Sequence, residues 1–403
     1  MRKNTEGLSG PYFNPNRNSK HGQIIEPKFA PGEKLQIHPK MRWRSMGAAG
    51  LALCLVMDPL MAQIEASQST QYVTQTKSST DKAYQDVVVN VAAGFGMNDA
   101  RAAARTLSGF SEYGNIYADV YDNRTIDSES LGDDVIEKAK KKGVNEINFF
   151  GSSLAGIVSL EMAVKVQNDK SDLHTKYIIL ENTPADLESV RPEQRASGRL
   201  LLTFSGIPAL SYSRTARYIA EMAVRTKQYV GPDINKTVPF LPFNFTKFID
   251  TSAEVINEMI SRTDKASVDL MDSQYSTIVA SNVRESMMKL GKDDKSGKPK
   301  PIIVFIRPTS STRDYVVNSD LSEAKLRQYA LDANLRFMVI YMDTVHHGNP
   351  SMSPTEYAQV IPEAMNQINE TINNPLIPAT PLDPLMINNN FTFDDNILLT
   401  KPF

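Results

Sequence analysis

The stretch 147–156 reads Ile-Asn-Phe-Phe-Gly-Ser-Ser-Leu-Ala-Gly, and the rest of the chain is organised around it. Its apolar, β-favouring beginning predicts a strand over 146–150, and the helical spacing of apolar residues beyond Gly151 predicts a helix over 155–167. A strand, a tight turn of small residues and a helix form the arrangement that lifts a serine hydroxyl above the end of a parallel sheet. Ser153 is the candidate nucleophile, because only this serine has small residues two positions away on both sides.

Predicted strands and helices alternate on either side of this stretch. This alternation predicts an α/β protein with a mostly parallel, doubly wound sheet covered by helices on both faces. Between 186 and 300 the alternation stops and the pattern is mostly helical, which predicts a helical cap inserted between the core segments 70–185 and 301–373. The strands are expected at 71–76, 86–93, 115–120, 146–150, 177–181, 301–306 and 335–342, and the helices at 99–107, 131–142, 155–167, 214–226, 253–263, 269–290, 321–332 and 354–373.

The two ends of the chain have a different composition. Residues 1–45 carry an excess of Lys and Arg without apolar periodicity, which predicts a disordered basic tail. The apolar segment 46–62 then resembles a secretory signal or signal-anchor, which predicts a secreted protein or one associated with the membrane through this segment. Its uninterrupted apolar part, 46–57, is shorter than the roughly 20 residues of a membrane span. The alternative is a cytoplasmic protein in which this segment packs on the body. Residues 374–403 predict an extended C-terminal tail.

The composition excludes several classes of function. The net charge is −2, and the sequence contains no basic patch interleaved with aromatic residues. Neither feature predicts a nucleic-acid partner. Cys54 is the single cysteine, so the body offers no disulfide, no thiolate metal site and no cysteine nucleophile. The sequence implies no metal and no organic cofactor, and it leaves the oligomeric state open.

A nucleophilic serine needs a base and an acid at the same sheet edge. His346 and His347 are the histidines that follow the last strand, and either could take the proton of Ser153. Asp314 is the one carboxylate in the loop after strand 301–306, where it would fix the imidazole tautomer. Asp343 is a competitor, but it lies close to the end of its strand.

The reaction also needs two backbone N–H groups that bind a developing oxyanion. The residue after the nucleophile, Leu154, supplies one. The turn Gly94-Phe95-Gly96 follows a buried strand at the position where the second is needed, and its glycines allow the backbone to approach a substrate closely.

These motifs resemble the α/β-hydrolase superfamily over residues 70–373. The elbow is similar to the family's Gly-x-Ser-x-Gly signature, with Ala155 in place of the second glycine. The loop 92–98 resembles the family's oxyanion loop, with Phe95 at the donor position and Ala93 where many members carry a histidine that braces the loop. The resemblance also implies a helical cap inserted after the sixth strand.

The resemblance further implies which histidine is the base. Members often have a proline seven residues after the histidine and an aromatic residue soon afterwards. Counting back from Pro354 selects His347 over His346, with Tyr357 as the aromatic residue.

The sequence therefore predicts a serine hydrolase that cleaves a small-molecule ester, with an acyl or lipid-like group, through an acyl-enzyme on Ser153. An acyltransferase of the same fold and a non-catalytic, membrane-anchored binding module are the alternatives. A phosphate-binding turn at 151–156 is disfavoured, because the lysine and the spacing of a P-loop are missing.

Overall fold

A computed structural model describes residues 70–204, 218–219, 221–222, 225–231, 243–261, 266–293, 297–342, 347–348, 350 and 353–374. The predicted segments 1–45 and 46–62 lie outside these ranges, as does the predicted tail beyond Asn374. Among the described residues, no helix combines the length and the apolar character that crossing a bilayer requires.

Seven strands form one sheet in the order β1-β3-β2-β4-β5-β6-β7. β1 runs antiparallel to β3, and every other neighbouring pair is parallel. The α/β class and the mostly parallel, doubly wound sheet are confirmed. The strand bounds are β1 Tyr72–Lys77, β2 Val87–Ala92, β3 Asn115–Val120, β4 Glu146–Ser152, β5 Tyr177–Glu181, β6 Ile302–Pro308 and β7 Arg336–Met342.

The central strands are buried along their whole length. β2 reads Val-Val-Val-Asn-Val-Ala, and all six residues are buried, as are all residues of β4, β5 and β6. Continuous apolar, β-branched runs suit strands that have helices on both faces, since neither face meets water. The sheet is therefore a rigid platform for the loops at its edge.

The helix that follows β4 is largely buried. Leu154–Asn168 is apolar around most of its circumference, with ten buried residues, as expected of a helix covered on all sides. The described helices are α1 Arg101–Thr106, α2 Ser128–Lys141, α3 Leu154–Asn168, α4 Pro192–Phe204, α5 Phe245–Ser261, α6 Val268–Val279, α7 Val283–Leu290, α8 Ser319–Asp332 and α9 Pro354–Asn373. Short 3₁₀ helices lie at Lys82–Tyr84, Ser108–Glu112, Leu187–Ser189, Thr226–Gln228 and Ser311–Arg313.

Three helices begin more than one residue earlier than the hydrophobic pattern predicts, and the largest difference is at α5, which begins at Phe245 and not at 253. α2 starts after Asp127, whose side chain accepts a hydrogen bond from the Ser130 backbone N–H. α8 starts after Asn318, whose side chain accepts one from Leu321. Such side-chain caps satisfy N–H groups that have no partner within the helix, so they set the helix start ahead of the first apolar residue.

The predicted insertion 186–300 contains two kinds of packing. Buried residues of α6 and α7 belong to the same hydrophobic core as the sheet, including Leu270, Met287 and Leu290. Near α5, Met222, Tyr229 and Val255 form a separate small cluster. The single helix predicted over 269–290 is wrong, because α6 ends at Val279 and α7 begins after Asn282. Asparagine favours helix ends, since its side chain competes for backbone hydrogen bonds.

Candidate active site

Loops from four strands bring the candidate residues to one edge of the sheet. The strands β2, β4, β6 and β7 are parallel, so their carboxyl ends share that edge. Gly94 follows β2, Ser153 follows β4, Asp314 follows β6 and His347 follows β7. The chain reverses direction across the sheet between β2 and β4, which is where open α/β sheets form their binding crevices.

Ser153 is held in a strained conformation at the corner between β4 and α3. Its φ is 57° and its ψ is −126°, values that residues with a side chain rarely adopt. Its backbone N–H donates a 2.7 Å hydrogen bond to the carbonyl oxygen of Glu181. A side chain at Gly151 would overlap the backbone of Ala155, so the corner requires a glycine there. Strain of this kind persists only where its surroundings impose it, as at a nucleophile elbow.

The structure joins Ser153, His347 and Asp314 into a continuous hydrogen-bonded chain. His347 Nε2 lies 3.0 Å from Ser153 Oγ, and His347 Nδ1 lies 3.0 Å from both carboxylate oxygens of Asp314. The carboxylate can only accept, so Nδ1 carries the proton and Nε2 is left to accept one from the serine. His346, the alternative base, and Asp343, the competing acid, lie outside the described residues.

Asp314 is oriented before any reaction begins. One of its carboxylate oxygens accepts the backbone N–H groups of Val316 and Val317, each at 2.8 Å. The guanidinium of Arg191 holds the same loop from outside, donating to the backbone carbonyls of Ser311 at 2.5 Å and Asp314 at 2.7 Å. The carboxylate is fully buried, so water cannot compete for the imidazole.

The surroundings of His347 favour its protonated form. Burial by itself would lower its pKa, but the charge and hydrogen bond of Asp314 raise it, and Glu181 adds to the rise. The net effect is a pKa above the ordinary 6.5 of histidine. An imidazole of this kind is a strong base towards Ser153, because the imidazolium that forms is stabilised in place.

Of the two predicted oxyanion donors, Leu154 directly follows the serine and Phe95 lies in the loop after β2. Leu154 is the first residue of α3, and within the described part of the chain neither its N–H nor that of Phe95 donates a hydrogen bond. The loop after β2 touches the elbow, since a side chain on Gly94 would meet the Ser152 carbonyl at 3.3 Å. The N-terminus of α3 adds a partial positive charge at this point.

A buried glutamine that no sequence motif marks holds the loop after β2. Gln274 of α6 is fully buried, and its side-chain oxygen accepts the Gly96 N–H at 2.7 Å. Its amide donates to the carbonyl of Met97 at 2.8 Å and, more weakly, to that of Gly94 at 3.5 Å. Ala93 replaces the histidine expected to brace this loop, and Gln274 supports the loop from a helix 178 residues away. In the sequence, the one signal of this contact was a glutamine on the apolar face of a predicted helix.

Within the described ranges, no group of three His, Cys, Asp or Glu side chains is placed to hold a metal ion. No protein-family model and no curated protein matches the sequence.

Solved structures are similar to this chain at low sequence identity. A highly thermostable carboxyl esterase from Bacillus coagulans is 12% identical, with 74% of this chain and 93% of that chain covered and a TM-score of 0.46. An α/β hydrolase from a Medee basin deep-sea metagenome library is 12% identical, with coverages of 76% and 95% and a TM-score of 0.45. The enol-lactonase from Burkholderia xenovorans is 14% identical, with coverages of 75% and 97% and a TM-score of 0.43.

These TM-scores are low, and the assignment of the fold rests on the chain itself. The parallel sheet, the strained serine between β4 and α3, and the order Ser153, Asp314, His347 along the chain are the arrangement of the α/β-hydrolase fold. The chain therefore has the α/β-hydrolase fold, as its sequence predicts.

Proposed function

We propose that this protein is a serine hydrolase that cleaves a carboxylic ester through a covalent acyl-enzyme. One observation carries the proposal: the 3.0 Å contacts that link Ser153 Oγ to His347 Nε2 and His347 Nδ1 to Asp314. A base in hydrogen-bond contact with a strained serine, and itself oriented by a buried carboxylate, is the arrangement that activates a hydroxyl as a nucleophile.

Acylation begins when Ser153 Oγ attacks the ester carbonyl carbon and passes its proton to His347 Nε2. The negative charge that develops on the carbonyl oxygen is bound by the backbone N–H groups of Phe95 and Leu154. Asp314 stabilises the imidazolium without taking its proton. The tetrahedral intermediate collapses when the carbon–oxygen bond to the alcohol breaks, and His347 Nε2 donates its proton to the departing alkoxide.

Deacylation repeats these steps with water. His347 Nε2, now neutral, removes a proton from a water molecule, whose oxygen attacks the acyl carbon. The same two N–H groups bind the second oxyanion. Ser153 Oγ leaves with the proton from His347, the carboxylic acid departs and the free enzyme is restored.

Labelling by a fluorophosphonate probe tests this proposal. The wild-type protein is expected to react at Ser153, whereas Ser153→Ala is not. Ser159→Ala is the matched control, because Ser159 lies buried on α3 and its hydroxyl has no partner among the described residues. A wild-type protein that labels no faster than Ser153→Ala would refute the proposal and leave the non-catalytic binding module.

Rates on p-nitrophenyl esters of increasing acyl chain length measure which acyl group the enzyme prefers. Apolar residues in the insertion 186–300 favour an acyl or lipid-like group, so we expect the rate to rise with chain length before it falls. Equal rates from acetate to long chains would remove this preference. Added alcohol distinguishes acyl transfer from hydrolysis, because a transferase forms the new ester at the expense of the free acid.

A further inference from the structure

A second carboxylate lies beneath the elbow and takes no part in the relay described above. Glu181 is the last residue of β5, and it is fully buried. Its carboxylate accepts hydrogen bonds from the hydroxyls of Ser152 and Tyr357. Its backbone carbonyl accepts the N–H of Ser153 at 2.7 Å. One residue therefore contacts the nucleophile, its neighbour and the helix α9.

Glu181 also packs against the loop that carries the base. A side chain placed on Gly348 would lie 2.8 Å from the carboxyl carbon of Glu181, so the residue after His347 rests directly on this carboxylate. Only a glycine allows that approach. In the described part of the chain, no hydrogen bond joins Glu181 to His347, so any influence of the charge on the imidazole acts through space.

A buried charge acts strongly on its neighbours, because little water screens it. Glu181 and Asp314 both favour a positive charge on the imidazole, but they do so differently. Asp314 orients Nδ1 by direct hydrogen bonds, whereas Glu181 has its own hydrogen-bond partners and contributes a field and a packing surface.

We propose that Glu181 is a positioning residue that seats the loop of His347 and stabilises its imidazolium form. The inference rests on the proposed function only in taking His347 as the base. It assigns Ser152 and Tyr357 a purpose as well, since the hydrogen bonds from their hydroxyls favour the ionised form of the Glu181 carboxylate against the effect of burial.

Among the residues that the structure describes, the other charged or titratable groups around this pair come from the loop after β6, from α9 and from the residue that precedes α4. They are Asp314, which bonds Nδ1; Tyr315, whose ring lies 6.1 Å from the imidazole ring; Tyr357, which donates to Glu181; and Arg191, which binds the backbone of Asp314. Burial raises the pKa of Glu181, while the hydrogen bonds from Ser152 and Tyr357 and the charge of His347 oppose the rise. The two hydroxyl partners therefore favour the ionised form of the Glu181 carboxylate, which burial disfavours.

Glu181→Gln is the substitution that tests the charge alone. Gln has the same shape as Glu, and the hydroxyls of Ser152 and Tyr357 can rotate to accept from its amide or donate to its oxygen. Glu146→Gln is the matched control: Glu146 is another buried glutamate of the sheet, but it lies at the start of β4, at the opposite edge.

The experiment follows the imidazole of His347 by NMR in the full-length protein labelled at histidine, with the signal assigned by its loss in His347→Asn. Glu181→Gln is expected to move the titration of His347 to lower pH, and Glu146→Gln is expected to leave it in place. Equal titrations in the wild type and Glu181→Gln would overturn the inference. So would an equal movement in Glu146→Gln.

A second variant covers the case in which Glu181→Gln does not fold. Tyr357→Phe removes one hydroxyl that holds the charge, so His347 is expected to titrate at lower pH again, by less. Unchanged titration in Tyr357→Phe would then overturn the inference.

The NMR readout does not require turnover. If the proposed function failed, the probe would not label Ser153, yet the position of the His347 titration would still decide the role of Glu181. If both hold, the acid limb of kcat/KM moves to lower pH in Glu181→Gln together with the NMR titration.

Discussion

Replacing Gln274 tests whether the oxyanion loop is held from α6. Gln274→Met keeps the length of the side chain but removes the acceptor for the Gly96 N–H and the donor to the Met97 carbonyl, contacts of 2.7 and 2.8 Å. Phe95, the proposed donor, lies between the two loop residues that Gln274 holds at Gly94 and Gly96. The loop should therefore lose its fixed position while the Ser153–His347 contact is untouched.

The size of the effect follows from the burial of these groups. A buried polar group left without a partner costs roughly 1–3 kcal/mol. In Gln274→Met the loop can avoid this cost by moving so that its backbone groups find other hydrogen-bond partners. If that free energy no longer holds the donor in place, a factor of ten for each 1.36 kcal/mol gives a loss in kcat of about 5- to 160-fold. Complete loss of one oxyanion donor, roughly 10²- to 10³-fold, sets the upper limit.

Steady-state kinetics on a p-nitrophenyl ester measure this loss. We expect kcat to fall with little change in KM, because the donor acts on the transition state more than on the bound ester. Ser276→Ala, an exposed position on the same helix, is the control. A Gln274→Met protein that is folded at the assay temperature and keeps the wild-type kcat would refute the role of Gln274.

Three further predictions follow from the structure. Asp314→Asn should lower kcat by roughly 10⁴-fold without unfolding the protein, because the amide can present its N–H to the imidazole and impose the wrong tautomer. A variant with the circular dichroism spectrum and the kcat of the wild type would contradict this prediction. Asp119 is fully buried, and burial raises its pKa to about 7, so the native state holds a proton that the unfolded chain has released above pH 4. The free energy of unfolding should therefore fall by about 1.4 kcal/mol per pH unit between pH 4 and 7. Measured by urea unfolding, its dependence on pH should be flatter for Asp119→Asn, and parallel profiles for the two proteins would exclude Asp119 as the cause. Gly156→Val should lower the free energy of unfolding by roughly 1–3 kcal/mol, because the added side chain would overlap that of Thr183; an unchanged urea midpoint would show that Thr183 can move aside.

The pattern along the chain predicted the core elements closely. β3 at Asn115–Val120, β5 at Tyr177–Glu181 and α9 at Pro354–Asn373 have the predicted bounds. Apolar periodicity reports these elements because it reflects which face of a local segment meets the core. Helix starts were less accurate, since a cap such as Asp127 acts through one hydrogen bond and not through periodicity.

By itself, the sequence determined the order of strands and helices, the corner at Gly151 and the order of a serine, an acid and two histidines along the chain. These features depend on neighbours within a few residues. The tertiary structure alone showed that Gln274 holds the loop after β2 and that Glu181 lies against Gly348. Both contacts join residues more than 160 positions apart, and no local pattern encodes them, because they form only when packing of the whole sheet brings distant side chains into the same buried space.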